Sequence, residues 1–358
     1  MANRIFDLKQ TTSAFQLRGV VTGAKSKRFY TSGTTKNYSS WNAIEFGVMV
    51  NDKKPVYVKL NGFPRSEVFY YKRGENGGKG ITQKVAWANR KQAPGDGFRL
   101  IGVNISTGKK DDGQNINEMF TEWDAVEYLH ENLRDGDNVF IRGNVEFDTY
   151  TDKNGNTQKK ITLVPNQIFY TQGSVDFNAD NFNEEALFDD VLVYTGVEKE
   201  MDENDKHTGR FILTGYNVKY NDIVPVQFIV DADHAKLASN LRKKLKPYNS
   251  IHVYGKINVI ADTTVVEEEV DDGWGESSKM EQRRLNAPIK REYIVFKGDP
   301  NSIDTDTYSE KSIADALKAI KNAKEAVKNF TGNDNAKVGA ANDDDWGLDD
   351  DDDGEEPW

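Results

Sequence analysis

The 358-residue sequence predicts a mainly β protein: two tandem five-stranded barrels, each with a helix between its third and fourth strands, then one more helix and a tail. Three observations predict it. Apolar residues alternate with polar ones at the two-residue period of half-buried strands in segment after segment. Two segments show helix spacing at matching places in the two halves. Six apolar or glycine letters recur at one fixed offset.

Alternation is clearest at Ile44, Phe46, Val48 and Val50, which share one side of an expected strand. The first half reads as strands at 14–23, 41–50 and 56–62, a helix at 121–133, then strands at 138–149 and 159–170. Trp123, Val126, Leu129 and Leu133 fall on one face of that helix, and Asp135-Gly136-Asp137 breaks the chain after it. The stretch 64–118 is far longer than an ordinary connection and reads as an insertion with some strand of its own, around Phe98–Ile105. The second half repeats the order: strands at 190–197, 211–218 and 224–230, a helix at 234–245, then strands at 251–260 and 291–296. Leu133, Val139, Ile141, Gly143, Val145 and Phe147 match Leu245, Ile251, Val253, Gly255, Ile257 and Val259 at an offset of 112, so a duplication is expected.

Three strands, a helix and two strands is the element order of an OB-type barrel. The expected layout is a first unit at 1–172, a linker at 173–188 and a second unit at 189–300 with an acidic loop at 261–289 that carries Trp274. An amphipathic helix at 308–330, with lysines along its polar side, precedes a disordered acidic tail at 331–358.

Charge is segregated. Ala341–Trp358 holds ten carboxylates and no Lys or Arg, whereas residues 1–110 carry 20 Lys and Arg against 6 Asp and Glu. Such a chain attracts a polyanion with one surface and keeps an anionic segment elsewhere. The absence of cysteine excludes disulfides, thiolate nucleophiles and cysteine-ligated zinc. His130, His207, His234 and His252 are scattered without metal-site spacing, and the glycines at 74, 77, 78 and 80 do not form a phosphate loop. A metal cage of tail acids would cost ordering entropy. The expectation is a protein that is not an enzyme and needs no cofactor or metal. No apolar run of 18 residues occurs and the N-terminus lacks a long apolar stretch, so a soluble, cytoplasmic protein without membrane contact is expected.

Binding unpaired bases takes exposed rings, and holding their phosphates takes cations, so basic residues interleaved with aromatics are the useful signal. One cluster is Lys25, Lys27, Arg28, Phe29 and Tyr30, continuing through Lys36, Tyr38 and Trp41 in the passage from strand one to strand two. A second is Phe69, Tyr70, Tyr71, Lys72 and Arg73, followed by Lys79, Lys84, Trp87, Arg90 and Lys91 around the glycine run, with Lys59 and Arg65 as weaker additions. Three consecutive rings in an extended segment cannot all face one core. A fainter version recurs at Tyr216, Lys219 and Tyr220. In the tail, Trp346 and Trp358 read as anchors, with Asp351, Asp352, Asp353, Glu355 and Glu356 as the charge that attracts a basic partner.

With that tail, ending Asp-Asp-Asp-Gly-Glu-Glu-Pro-Trp, the chain resembles the single-stranded DNA-binding proteins of replication systems, especially those of double-stranded DNA bacteriophages. These combine an OB-fold core with an acidic C-terminal tail ending in an aromatic residue. The resemblance implies coating of exposed single strands in replication, recombination and repair, and recruitment of polymerase, helicase or primase through the tip at Trp358. RNA stays open as a ligand. Two barrels in one chain favour a monomer, with cooperativity on DNA left open. The competing expectation is an adaptor or inhibitor whose acidic segments mimic DNA on a barrel scaffold.

Overall fold

The computed structural model describes residues 4–35, 39–51, 55–74, 78–151, 157–171, 176–177, 179, 184–202, 204–261 and 289–331. The expected acidic loop and tail, apart from residues 261, 289 and 331 at their ends, lie outside them. The first unit comprises β1 (Ser13–Thr22), β2 (Tyr30–Thr34), β3 (Ser40–Met49), β4 (Pro55–Gly62), β5 (Glu67–Lys72), β6 (Ile81–Ala86), β7 (Arg99–Leu100), β8 (Val103–Lys109), β9 (Asn115–Phe120), α1 (Glu122–Asn132), β10 (Asn138–Thr151) and β11 (Thr157–Tyr170). The second comprises β12 (Glu185–Met201), β13 (His207–Val218), β14 (Ile223–Val230), α2 (Ala235–Lys244), β15 (Ser250–Ala261) and β16 (Ile289–Gly298), with α3 (Glu310–Thr331) after it.

In the second unit the five strands pair in a ring: β12 with β13, β13 with β14, β14 in parallel with β16, β16 with β15, and β15 back to β12. Alternation explains it, because Val224, Val226, Phe228 and Val230 all turn inward while Pro225 and Gln227 face out. In the first unit β4, β3, β1, β10 and β11 follow one another in antiparallel order, but the parallel neighbour of β11 is β8, not β4. The insertion therefore supplies a strand to the main sheet. The strand expected around 98–105 is two, β7 and β8, on different sheets.

The helices are placed by their ends. Thr121 caps α1, its hydroxyl oxygen accepting from Asp124 N at 3.1 Å, and acids in the first turn suit the positive end of the helix. Leu133 and Leu245 end α1 and α2 in the same way: each is extended, buried, and donates its N–H to the carbonyl four residues back. The duplicated leucines are thus duplicated helix stops.

The two units share a sheet. The strand expected from Asp190 begins at Glu185, within the expected linker; residues 185–190 pair with β1 on one side and residues 187–193 with β15 on the other. Phe15 of β1 lies opposite Phe188 of β12, and each ring fills the space that a glycine leaves: a Cβ on Gly143 would meet Phe15 Cε1 at 2.7 Å, and one on Gly255 would meet Phe188 Cε1 at 2.2 Å. The matching glycines also sit at matching register shifts, between Arg142 and Gly143 and between Tyr254 and Gly255.

One apolar core runs through both units. Phe147 of β10 packs against Phe228 and Tyr293 of the second unit, with ring centroids 5.9 and 6.3 Å apart. At the seam, Asp190 is buried and accepts hydrogen bonds from Ser13 Oγ of β1 and Asn217 Nδ2 of β13. Ile313, Ala316 and Ile320 of α3 bury against Leu8, Val193, Val218 and Ile223, so the N-terminal arm and the last helix close over the second unit. No helix among the described residues is long and apolar enough to cross a membrane.

Candidate nucleic-acid interface

The inserted segment folds into a small sheet in the order β6-β5-β7. Alternation along β5 sends Val68 and Tyr70 inward, onto Leu100, with Val85, Trp87, Phe98 and Met119 packed around them. Phe69 and Tyr71 consequently face the other way. Directly opposite residues of an antiparallel pair share a face. Lys84 lies opposite Phe69, and Tyr71 has Thr82 on one side and Arg99 on the other. Lys84 Nζ stands 5.4 Å from the Phe69 ring centre and is also bonded to Glu67. Tyr71 is 42 % exposed, and Ile101, whose N–H donates to Phe69 O, is also open to solvent.

This face offers what a single strand needs: rings for bases and cations for phosphates. Over residues 65–99 there are eight Lys and Arg against three Asp and Glu, so the inserted segment is net positive. Arg73, Lys79 and Arg99 are exposed. Of the expected residues, Tyr71 and Lys84 come together here. Arg99 and Ile101 were missed by sequence reading, because a two-residue strand leaves no periodic signal.

Other expected residues are corrected by their surroundings. Tyr70 is 4 % exposed, its hydroxyl donates to Arg90 O at 2.7 Å, and burial raises its pKa, so it is a core residue and Phe69 is the outward ring. Phe29, 5 % exposed, is also core. Tyr30 stacks on His130 at 4.0 Å and donates to Glu127 Oε1 at 2.9 Å, which fastens β2 to α1. Trp41 is half-buried, with its indole against Gly33.

Arg90 is a strut rather than a phosphate clamp. Its Nε and Nη2 donate to Asp124 Oδ2 and Oδ1 at 2.8 and 3.0 Å, and its guanidinium lies 4.5 Å from the ring centre of half-buried Trp87. Burial alone would raise the Asp124 carboxyl. Hydrogen bonds from Arg90 and Thr121, with the charges of Arg90 and Lys91, outweigh that and hold it below its ordinary value. The pair ties the inserted sheet to α1.

Of the remaining cations, Lys91 is 3.7 Å from the same carboxylate but largely exposed, Lys59 pairs with Glu45 at 3.7 Å, and Arg65 with Glu122 at 3.5 Å. The Arg65 pair is exposed, and such pairs are weak and open to exchange with phosphate, whereas Lys59 and Glu45 are both half-buried. Lys72 lies 5.9 Å from the Phe98 ring centre. Lys25, Lys27 and Arg28 are exposed and unpaired among the described residues, in the turn between β1 and β2. The Tyr216 group does not join the inserted face. Tyr216 packs against the cluster that α3 makes with Val193, Val218 and Ile223, Lys219 is bonded to Asp148 and Phe147 O, and Tyr220 has Arg4 at 5.8 Å over its ring. Lys36, Tyr38, Trp346, Asp351, Asp352, Asp353, Glu355, Glu356 and Trp358 lie outside the described residues, as does Trp274. Among the described residues no group of three or more His, Asp or Glu is placed to hold a metal.

Two crystal structures of the single-stranded DNA-binding protein from Thermus aquaticus are similar to this chain. A deletion mutant matches with a TM-score of 0.38 at 9 % identity over 81 % of this chain and 94 % of that one. The wild-type form matches with a TM-score of 0.37 at 8 % identity over 81 % and 93 %. No curated protein matches significantly. A family model, YorF, matches residues 73–333.

Proposed function

The chain belongs to the YorF family, and we propose that it is a non-catalytic, sequence-nonspecific binder of single-stranded DNA, built as tandem OB-type barrels. The observation that carries this reading is the outer face of the inserted sheet, where Phe69 and Tyr71 stand in one row of a strand with Lys84 and Arg99 beside them. Rings of this kind accept any base, because every base has a stacking face, and neighbouring cations take the phosphates. The ring of pairings in the second unit supports the barrel reading, since it has the parallel third-to-fifth contact that follows when a helix joins strands three and four of such a barrel. The acidic C-terminal segment, with Trp358 at its tip, is the proposed contact for polymerase, helicase or primase.

The test is a titration into fluorescent oligothymidine and a matched duplex at low and high salt. Tight binding to the single strand alone is expected, with a log–log salt slope of about 0.7 for each phosphate contacted. Absence of binding, persisting after deletion of residues 341–358, would refute the reading and favour the adaptor alternative. Parallel titration with oligouridine distinguishes DNA from RNA preference.

A further inference from the structure

We infer that the outer face of the shared sheet, across the seam between the two units, is a second contact surface for a single nucleic-acid strand; this rests on the binding function proposed above. Strands β11, β10, β1, β12, β15 and β16 lie side by side there. Their pairings set two rows of outward side chains. One runs Gln167, Arg142, Gln16, Leu187, Lys256. The other runs Asn144, Ala14, Asp189, Tyr254, Lys297. The duplication relates the rows: position 142 corresponds to 254 and 144 to 256, and the register shifts skip Asn166 in one unit and Phe296 in the other.

All of these side chains but Lys256 and Lys297, which end the two rows beside it, line a shallow cavity of about 430 Å³ centred on the seam. Its chemistry is that of a strand-binding groove. Arg142, Lys256 and Lys297 are exposed cations, and Lys297 lies 5.3 Å over the Tyr254 ring centre. Phe296 is 37 % exposed although it belongs to a core strand. Gln16, Asn144, Asn166 and Gln167 carry amides, which donate to and accept from base edges alike. The one acid in the rows, Asp189, is hydrogen-bonded to His252 at 2.8 Å, and the nearby Glu185 is 3.8 Å from Arg18, so each carboxylate has a partner and the rows carry three cations against one acid. Five strands at ~4.8 Å spacing give rows about 19 Å long, room for a few nucleotides.

The experiment compares wild type with Arg142→Ala/Lys256→Ala/Lys297→Ala and with Tyr254→Ala. The probes are a short oligothymidine of about 8 nucleotides, within the ~4–16 that one barrel occupies, and a long one of about 40. On the long probe, loss of three cations should lower the salt slope by about 2, and loss of the ring should weaken binding roughly tenfold. Short-probe binding, held by the inserted sheet, should be unchanged. Ala14→Lys, which adds a cation in the same row without removing a polar group, should tighten long-probe binding and steepen its salt slope. Wild type that binds neither probe would overturn the function itself. Wild type that binds both, with all variants indistinguishable from it, would leave that function standing and overturn the seam surface. So would a change in sedimentation of the variants without DNA, which would assign this face to contact between copies.

Discussion

Replacing Asp190 by Asn tests how the two units are joined. The side chain is 0 % exposed, between Ser13 of the first unit and Asn217 of the second. Burial pushes the carboxyl up from its ordinary 3.8 to about 7, against the two hydrogen bonds, which lower it, while the neighbouring charge of Asp189 adds to the rise. Its Oδ1 has no partner, so the ionised form is poorly served and the protonated form is favoured. The sign follows from linkage. Between about pH 4 and pH 7 the folded chain keeps a proton that the unfolded chain has released, so this group's contribution is whole below 3.8 and is lost as pH climbs through about 7. The full displacement corresponds to roughly 4 kcal/mol. Asn keeps the shape and an acceptor oxygen but has no proton to lose. In urea unfolding, Asp190→Asn should therefore gain on wild type by on the order of 2–3 kcal/mol between about pH 5 and pH 8, then hold level. A difference between the two proteins that stays flat across that interval would refute the reasoning.

Further substitutions separate surface from core. Tyr71→Ala and Arg99→Ala should each weaken oligothymidine binding, the ring by about 1–3 kcal/mol, with unchanged melting curves; a large fall in melting temperature would mean that these side chains support the fold. Phe29→Ala and Tyr70→Ala should do the reverse, costing about 3–5 kcal/mol of stability as buried aromatics removed from a packed core, read by denaturant unfolding. Gly255→Ala should destabilise strongly, because its Cβ would meet Ile294 O at 2.5 Å as well as the Phe188 ring; a variant as stable as wild type would show that the strand can shift there. Arg90→Ala should leave Asp124 without its main partner and loosen the inserted sheet, seen as faster amide exchange in β5 and β6, while removal of Trp358 should spare DNA affinity and reduce capture of purified helicase or primase.

The main strands were legible because burial on one side leaves a period of two in the letters, and the duplication because Leu133 and Leu245, and Gly143 and Gly255, do the same mechanical jobs in each unit. What stayed hidden depended on contacts distant in sequence. Which of Phe69, Tyr70 and Tyr71 turns inward is decided by Leu100 and Met119, which cover one side of β5 and not the other. The early start of β12 was masked by Glu184 and Glu185, polar letters at the end of the expected linker, because the partners of residues 185–188 lie on β1, far off in sequence. Cations were easier to find than to assign, since Arg90 and Lys84 look alike in the sequence and only the position of Asp124 makes the first a strut.

The joining of the units bears on how a strand would be held. Two barrels on a flexible linker would reorient freely, and bridging them would gain only through raised local concentration. Here β1 is paired along both edges, β12 along both, and Phe147 of one unit sits among the rings of the other. Separating the units would expose that core and break a ladder, so their surfaces stay in fixed relation. The duplication is nonetheless unequal: the first unit inserts a sheet between β4 and α1, where the second passes from β14 to α2 across four residues. The proposed stacking rings, Phe69 and Tyr71, are thus carried by one copy alone, and on the proposed function a strand bound to the inserted sheet would meet a rigid surface rather than a second, independent module.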